Sequence, residues 1–507
     1  MIEKTADILI VGSGLAGVAA AVTAVEQGAS VILAEKRPFQ GGGVSNTPMM
    51  TMAVKPEEKY RDKAFKVHMN YTNWNADAGL VKSWIENSAR IPKFVTDLNI
   101  SFANVVETPY EEIGERRGYC GGFPDGFNIG DYYFLKPIGK GHGAAVIVKK
   151  ACDKFKKLGG EIVFNCTVKS LLKDGNKITG AIGECKDGSE IKFNTKAVII
   201  CSGGFSNNAQ MIKEHTGFTF TDIDCSEDGN VLFNTFYNAQ LYGEGQQAVW
   251  DIGGAKGSMG INGHNLVPGP GIIKHTPWIP FNEFRVVQEQ PYLWVNKYGD
   301  RFISEEMSND HMSMGTSLSN QPGKCGYIIF DEDTKLHMEN EGLDYIYHIF
   351  PAEKLHDLTE QFDEAINIIG NKHVFMADSI EELCSKAGIS EAGLKAQLER
   401  YNSYCDKNHD DEFSKKPQYL RPVRRGKFYA LRCFCGGYQA MGGIKTNRFG
   451  EVLKEDLSPF TGLYAAGDCS AGEIYGTPPI GGIGLSTISF SQGFTCADAA
   501  VKFAERN

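Results

Sequence analysis

"ILIVGSGLAG", residues 8–17, carries an apolar run straight into the glycine spacing GxGxxG. An apolar stretch from Ala6 to Val11 followed by such glycines predicts a buried parallel strand, a tight turn and a small-residue helix, "LAGVAAAVTAVEQG", ending at Gly28. In that arrangement Gly12 permits the turn and Gly14 lets the backbone approach a phosphate. Gly17, beside Ala16, allows close helix–strand packing, and the helix N-terminus faces negative charge. A second strand, "SVILAEK", ends in Glu35 and Lys36, with Glu35 23 residues after Gly12. An acid at that place accepts both hydroxyls of a ribose and repels a 2′-phosphate. The stretch therefore opens a dinucleotide-binding unit.

Composition sets the frame around it. At 507 residues the chain exceeds what one core usually supports, so more than one domain is expected. With 42% apolar residues, 22% charged and 58 glycines it reads as an α/β protein rich in backbone turns. A net charge of −10 argues against nucleic acid or an anionic membrane as partner, because both need clustered Lys and Arg. The 13 cysteines form no CxxC, CxxCH or paired metal spacing, so no metal, haem or iron–sulfur centre is expected and the thiols read as reduced. No apolar run reaches the length of a membrane span and no signal segment precedes the first strand, which predicts a cytoplasmic protein.

The segment after the second strand separates two kinds of dinucleotide. A nicotinamide-dependent dehydrogenase would proceed there to another helix and strand. This chain has "KRPFQGGGVSNTPMM", in which Gly41, Gly42, Gly43 and then Ser45 offer backbone for a loop along a pyrophosphate and toward a flavin ring. Further on, residues 159–208 alternate β-rich runs with Asp174-Gly175 and Asp187-Gly188, the turn chemistry of a β-meander. The meander ends in "AVIICSGG", with Gly203 and Gly204. A third strand-to-glycine turn, "TGLYAAGDCSAG", places Asp468 after Gly467 near the C-terminus. Nucleotide-binding parts thus come from both ends of the chain, with something inserted between.

In this ordered set the chain resembles the fumarate reductase/succinate dehydrogenase flavoprotein family, whose branches include ketosteroid dehydrogenases. The motifs are "GSGLAG" with Glu35, the "GGG" loop, "VIICSGGF", "GEGQQAVWDIGGA" (243–255, with Glu244), "VNKYGDRFISEE" (295–306), "MGGIKTN" (441–447) and "GLYAAGD" (462–468). The resemblance implies an α/β fold: a split Rossmann-like FAD-binding domain (1–265 and 427–507) around an α+β capping domain (266–426). It implies non-covalent FAD, with Val168 meeting the adenine through its backbone and Asp468 on the ribitol. It also implies hydride transfer between flavin N5 and a carbon of an activated C–C or C=C bond. The segment from Leu485 fits the flavin end: Ser486 reads as an N-cap, and a helix from about Thr487 would aim its dipole at the pyrimidine edge, worth a fraction of a kcal/mol to about 2 kcal/mol.

The substrate side departs from the fumarate reductases. Their dicarboxylate is held by arginines and histidines, since carboxylates in a dry pocket need charge-assisted partners. Where the family has an arginine eight residues before the asparagine of "VN..G.RF", this chain has Gln288. Gln439 replaces the histidine two residues before "MGG", and Pro478 or Pro479 an expected arginine. Arg285, three residues upstream of Gln288, could refill the first position if the loop carries an insertion. The remaining candidates are aromatic: Tyr438 beside Gln439, Tyr475, and a possible wall from Tyr132, Tyr133, Trp278, Tyr292 and Trp294. A phenol can hydrogen-bond a carbonyl oxygen that becomes enolate-like, and can later donate a proton. His142, His264 and His311 read as ordinary histidines, Cys433 and Cys435 as inert packing, and 406–416 as a solvated charged loop.

The expected activity is therefore reduction or dehydrogenation of a C=C/C–C bond conjugated to a carbonyl in a small apolar substrate, ketosteroid-like among others. A reductase of an unsaturated monocarboxylate or aryl acrylate using Arg285 stands as the alternative. A non-catalytic FAD electron-transfer subunit stands third. With a single GxGxxG, electrons are expected from a diffusible donor or a partner flavoprotein.

Overall fold

The computed structural model describes residues 2–42, 45, 50–106, 131–135, 143–221, 231–234, 239–268, 283–345, 354–475 and 485–507. In chain order the strands are β1 (Ile2–Val11), β2 (Val31–Ala34), β3 (Met50–Ala53), β4 (Phe102–Val106), β5 (Asp131–Leu135), β6 (Glu161–Val163), β7 (Cys166–Asp174), β8 (Lys177–Cys185), β9 (Glu190–Ile200), β10 (Thr219–Thr221), β11 (Val231–Asn234), β12 (Lys256–Leu266), β13 (Leu293–Val295), β14 (Cys325–Asp331), β15 (Val374–Ala377), β16 (Phe428–Ile444), β17 (Glu451–Leu453) and β18 (Pro459–Ala465).

The apolar run that opens the chain becomes the centre of the first sheet. β1 lies parallel to β2, with Ile8 opposite Val31 and Val11 opposite Ala34, and parallel to β9 on its other side. The sheet runs β17-β18-β8-β9-β1-β2-β6, with β7 paired to β8. Helices on its faces explain why its central strands are continuous apolar runs rather than alternating ones. The helix Leu15–Glu26 has every residue from Leu15 to Ala24 buried, between the sheet and the C-terminal helix Leu485–Ala504. Its small side chains let it seat deeply: a Cβ on Gly17 would stand 1.9 Å from the Gly12 carbonyl oxygen. β7, β8 and β9 form the expected antiparallel meander. β18 returns from the C-terminal segment to lie parallel to β9, Leu463 opposite Val198.

The second sheet runs β10-β11-β16-β14-β13, with β12 and β15 also paired to β16. β16 is its spine. β12 runs antiparallel to it, setting Asn262 opposite Gln439 and His264 opposite Gly436. Sheet membership therefore reaches past both limits expected for the cap, since β10, β11 and β12 lie before residue 266 and β16 after residue 426. A third, small sheet is ordered β3-β5-β4.

The charged stretch 406–416 is largely exposed, as expected, but two of its residues turn inward. Asp410 and Lys415, 1% and 2% exposed, close on the fully buried Arg301 of "VNKYGDRF". Arg301 pairs with Glu305 at 2.7 Å and Asp410 at 2.9 Å, and Lys415 Nζ reaches Glu305 at 3.3 Å and the Tyr401 hydroxyl at 2.9 Å. The charges alternate in sign and saturate each other's hydrogen bonds, the condition under which a buried cluster is tolerated. Tyr292 and Trp294 belong to a hydrophobic core cluster packed against the second sheet, 1% and 0% exposed, rather than to a substrate wall.

Candidate functional site

The carboxyl ends of β1, β2 and β9 converge on an open cleft lined by Val11 to Gly14, Ala34 to Arg37, Gly42, Ser45, Cys166 to Val168, Cys201 to Gly203, Ala239, Leu241, Glu244, Gly245 and Asp468. Ligands of open parallel sheets bind at this edge. Gly12 turns the chain at φ +102°, a left-handed conformation natural only to glycine, and its amide donates to the Ala34 carbonyl at 2.8 Å. Gly14 is the N-cap of the helix Leu15–Glu26, and the Leu15 amide donates to Ser45 Oγ at 3.1 Å. Glu35, 6% exposed, accepts from the Ser13 amide at 2.9 Å, Ser13 Oγ at 2.6 Å and the Arg37 amide at 2.9 Å. The acid thus braces the glycine turn as well as facing the cleft. Lys36 and Glu244 pair at 3.0 Å on the rim.

The far end of the cleft is shaped by the second sheet. The Phe205 amide, after Gly203 and Gly204, donates to Ala440 O at 3.1 Å, tying the end of β9 to β16. Gly467 N donates to Gln492 Oε1 at 2.8 Å, and Gly442 N to Asp468 O at 2.6 Å. Burial pushes the Asp468 carboxyl up to about 6, against a smaller downward pull from the neighbouring Gln439 amide. Tyr475, 3% exposed, stays a phenol far above neutral pH through burial and then the nearby Asp468 charge. Gln439 is fully buried, and neither its Oε1 nor its Nε2 has a well-formed hydrogen bond; Asn262 Oδ1, 1% exposed, has none either.

Beyond the β12–β16 pair lies the short helix Glu283–Val287. Gln288 Nε2 and Arg285 Nη1 both donate to the Asn265 carbonyl, at 2.7 Å and 3.1 Å. Arg285 also pairs with Glu289 at 2.8 Å, the two side chains 5% and 2% exposed. The candidates Gln288 and Arg285 therefore meet at one carbonyl next to His264, which the sequence reads as an ordinary histidine. Ser486 lies inside the helix Leu485–Ala504 rather than capping it, because helical backbone already begins at Leu485; Thr487 Oγ1 accepts from the Met52 amide at 2.9 Å. Gly43, His142, Trp278, Pro478 and Pro479 lie outside the described residues, as do the side chains of Tyr132, His311, Tyr438 and Leu485, whose backbones are in β5, the helix His311–Ser319, β16 and the C-terminal helix. Tyr133 packs against Phe102 with ring centroids 5.0 Å apart.

Ser13, Arg37, Ser202, Leu241 and Gly245 line the cleft without having been singled out. Ser202 was legible in principle, since it sits inside "VIICSGG". Its Oγ is buried without a hydrogen-bond partner in the protein, at a residue that lines the cleft.

A family model described as "FAD binding domain" matches residues 7–485. The chain belongs to this family. A vinyl phenol reductase from Lactiplantibacillus plantarum is 28% identical over 486 residues, covering 92% of this chain and 90% of that one. An NADH:fumarate oxidoreductase from Klebsiella pneumoniae is 26% identical over 96% of this chain, which spans 46% of that longer protein. The crystal structure of 3-ketosteroid delta1-dehydrogenase from Sterolibacterium denitrificans shares the fold, with a TM-score of 0.73 at 17% identity over 98% of this chain and 99% of that one. The cofactor is FAD, and the glycine turn, the buried Glu35 and the orphan Ser202 hydroxyl fit it. The protein is an FAD-dependent oxidoreductase acting on CH–CH groups, which sets aside a purely electron-carrying role. Among the described residues no helix is long and apolar enough to cross a membrane.

Proposed function

We propose that this flavoprotein reduces a C=C bond conjugated to an oxygen-bearing group, an enone carbonyl foremost, in an uncharged and largely apolar substrate. The observation that carries the reading is the Arg285–Glu289 pair, 5% and 2% exposed. A guanidinium already matched by a buried carboxylate has little net charge to offer, and a second carboxylate brought beside Glu289 would cost several kcal/mol. Gln288, Gln439 and Asn262 supply neutral amides instead, suited to a carbonyl or hydroxyl oxygen. The vinyl phenol reductase, whose named substrate is an uncharged conjugated alkene, is in keeping with this. The second reading, an unsaturated monocarboxylate or aryl acrylate, draws on the way Arg285 reaches the same Asn265 carbonyl as Gln288.

Bound FAD supplies the hydride at N5. The residues that hold it, non-covalently, are assigned as follows: Gly12, Gly14, Ala16 and Gly17 with Ser45 and the helix dipole at the pyrophosphate, Glu35 at the ribose, and the Val168 backbone at the adenine. The rim comprises Lys36, Glu244, Gly42, Gly43, Gly203 and Gly204, and Gly467 and Asp468 take the ribitol. Leu485 and Ser486, at the start of the C-terminal helix, turn that helix's N-terminus toward the pyrimidine edge. Tyr438, next to Gln439 in β16, is assigned the second proton, with Tyr475 as a protonated phenol behind Asp468. Electrons come from a diffusible donor or a partner flavoprotein.

The test is anaerobic reoxidation of the chemically reduced protein by a panel of an enone, a vinyl phenol, an aryl acrylate and fumarate. The uncharged alkenes should react and fumarate should not, and Tyr438→Phe should lower kcat by about 100-fold with FAD content unchanged. Faster turnover of fumarate or the acrylate overturns the uncharged-substrate reading. Full activity in Tyr438→Phe moves the proton to Arg285.

A further inference from the structure

The adenine side of the cleft carries two thiols that the hydride chemistry does not use. In the β7–β8 hairpin Cys166 stands directly opposite Cys185. The two do not exchange backbone hydrogen bonds: the Cys166 amide donates to Glu35 O at 3.0 Å and the Cys185 amide to Ser189 O at 2.8 Å, while the flanking Lys186 amide donates to Asn165 O at 2.9 Å. That pattern marks a non-hydrogen-bonded cross-strand site, where opposed Cα atoms come to about 4.5 Å and side chains approach most closely. The spacing lies inside the window that a disulfide spans, about 4.4–6.8 Å between Cα atoms. Room for the sulfur is built in as well, since a Cβ on Gly183 would stand 2.4 Å from Cys166 Sγ.

The two sulfurs differ in access. Cys166 is 1% exposed and lines the cleft with Thr167 and Val168, whereas Cys185 is only partly buried. A solvent oxidant therefore meets Cys185 first, with Cys166 behind it as the partner.

We propose that Cys166 and Cys185 are a peroxide-driven, reversible disulfide site that staples the β7–β8 hairpin at the adenine end of the FAD cleft. In the first step the Cys185 thiol is oxidised by hydrogen peroxide to a sulfenic acid, with release of water. The Cys166 sulfur then attacks the Cys185 sulfur, the S–S bond forms as the S–O bond breaks, and a second water leaves with the thiol proton. An external dithiol, itself oxidised to its disulfide, restores both thiols. The staple limits local opening of the strand that contacts the adenine, so FAD leaves the oxidised protein more slowly. This last consequence rests on the assignment of Val168 to the adenine; the disulfide itself does not.

The experiment treats the FAD-loaded protein with hydrogen peroxide, blocks the remaining thiols with N-ethylmaleimide and digests it with trypsin without reduction. Peptides 158–169 and 178–186 each contain one cysteine, so the bridge appears as one joined species two hydrogens lighter than their sum. The joined species should dominate, disappear on treatment with dithiothreitol, and be absent from Cys185→Ser. FAD release, followed by the rise in its fluorescence, should be several-fold slower after oxidation in the native chain and unchanged by oxidation in Cys185→Ser. Irreversible sulfinic acid at Cys185, or bridges to other cysteines, overturns the site. A reversible bridge with unaltered FAD release leaves the site standing and overturns its placement at the adenine.

Discussion

The two ends of the cleft are made in different ways. The end near β1 and β2 is built from backbone: a glycine turn, a helix N-terminus and strand ends, with Glu35 bonded to three donors within a few residues of the turn. At the other end Asp468 lines the cleft, and around β12 and β16 gather side chains of segments far apart in the chain: Arg285, Gln288, Asn262 and Gln439. Backbone can hold a dinucleotide whatever the substrate is, because phosphates and riboses are the same in every turnover. A region made of side chains can be changed one residue at a time, and here Arg285 is matched by Glu289 while Gln288, Gln439 and Asn262 are neutral amides. The lesson is that cofactor identity resides in local geometry and substrate identity in charge balance.

The strongest way to break the backbone end is Gly17→Val. Its Cβ would stand 1.9 Å from the Gly12 carbonyl oxygen, a clash that no rotamer relieves, so the purified variant should carry no FAD, as read by absorbance and by mass after acid release. Next in size is a substitution in the buried charge cluster around Arg301. Arg301→Leu leaves Glu305, Asp410 and Lys415 buried without their central cation, which should cost about 3–5 kcal/mol and lower the thermal midpoint by several degrees. A midpoint within a degree of the native value would show that water reaches the cluster.

Glu35→Ala should weaken FAD by the loss of charge-assisted bonds, each worth about 1.5–3 kcal/mol, so that the dissociation constant in equilibrium titration rises by roughly 10- to 100-fold. An unchanged constant would mean that the acid only braces the turn. The smallest effect sharpens the comparison at the far end. The Asp468 carboxyl is raised from 3.8 to about 6, so in the protein without FAD its contribution to stability is present below pH 3.8 and lost as the pH rises through 6. Asp468→Asn should remove that loss, raising the apoprotein midpoint relative to the native chain by about 1–3 °C at pH 7.5 and by nothing at pH 3.5. An equal shift at both pH values would assign the change to packing rather than titration.

Much of this was readable in the chain. Apolar runs ending in glycine, Asp-Gly turns at hairpin spacing and the ordered motifs led to the strands, the meander, FAD and the family, because each depends on residues close together in sequence. The misreadings share a cause. The charged run at 406–416 is largely the exposed loop its composition suggests, but nothing in it showed that Asp410 and Lys415 turn inward onto Arg301, more than a hundred residues earlier. Tyr292 and Trp294 looked like a substrate wall but are core, and Ser486 looked like a cap though the helix begins before it. His264 read as an ordinary histidine because its place beside the Asn265 carbonyl, where Gln288 and Arg285 meet, is not encoded by spacing along the chain.

The sequence by itself determined the cofactor and the chemistry class. The turn at Gly12, the small residues of the first helix and the acid closing the second strand are local requirements of one dinucleotide, and no distant contact is needed to impose them. Only the tertiary structure decided the electrostatic character of the substrate end. Whether Arg285 is a free cation or half of a buried pair with Glu289, and whether Cys166 and Cys185 are two thiols or one redox site, depends on helix phase and strand register, which set distances that no spacing along the chain encodes.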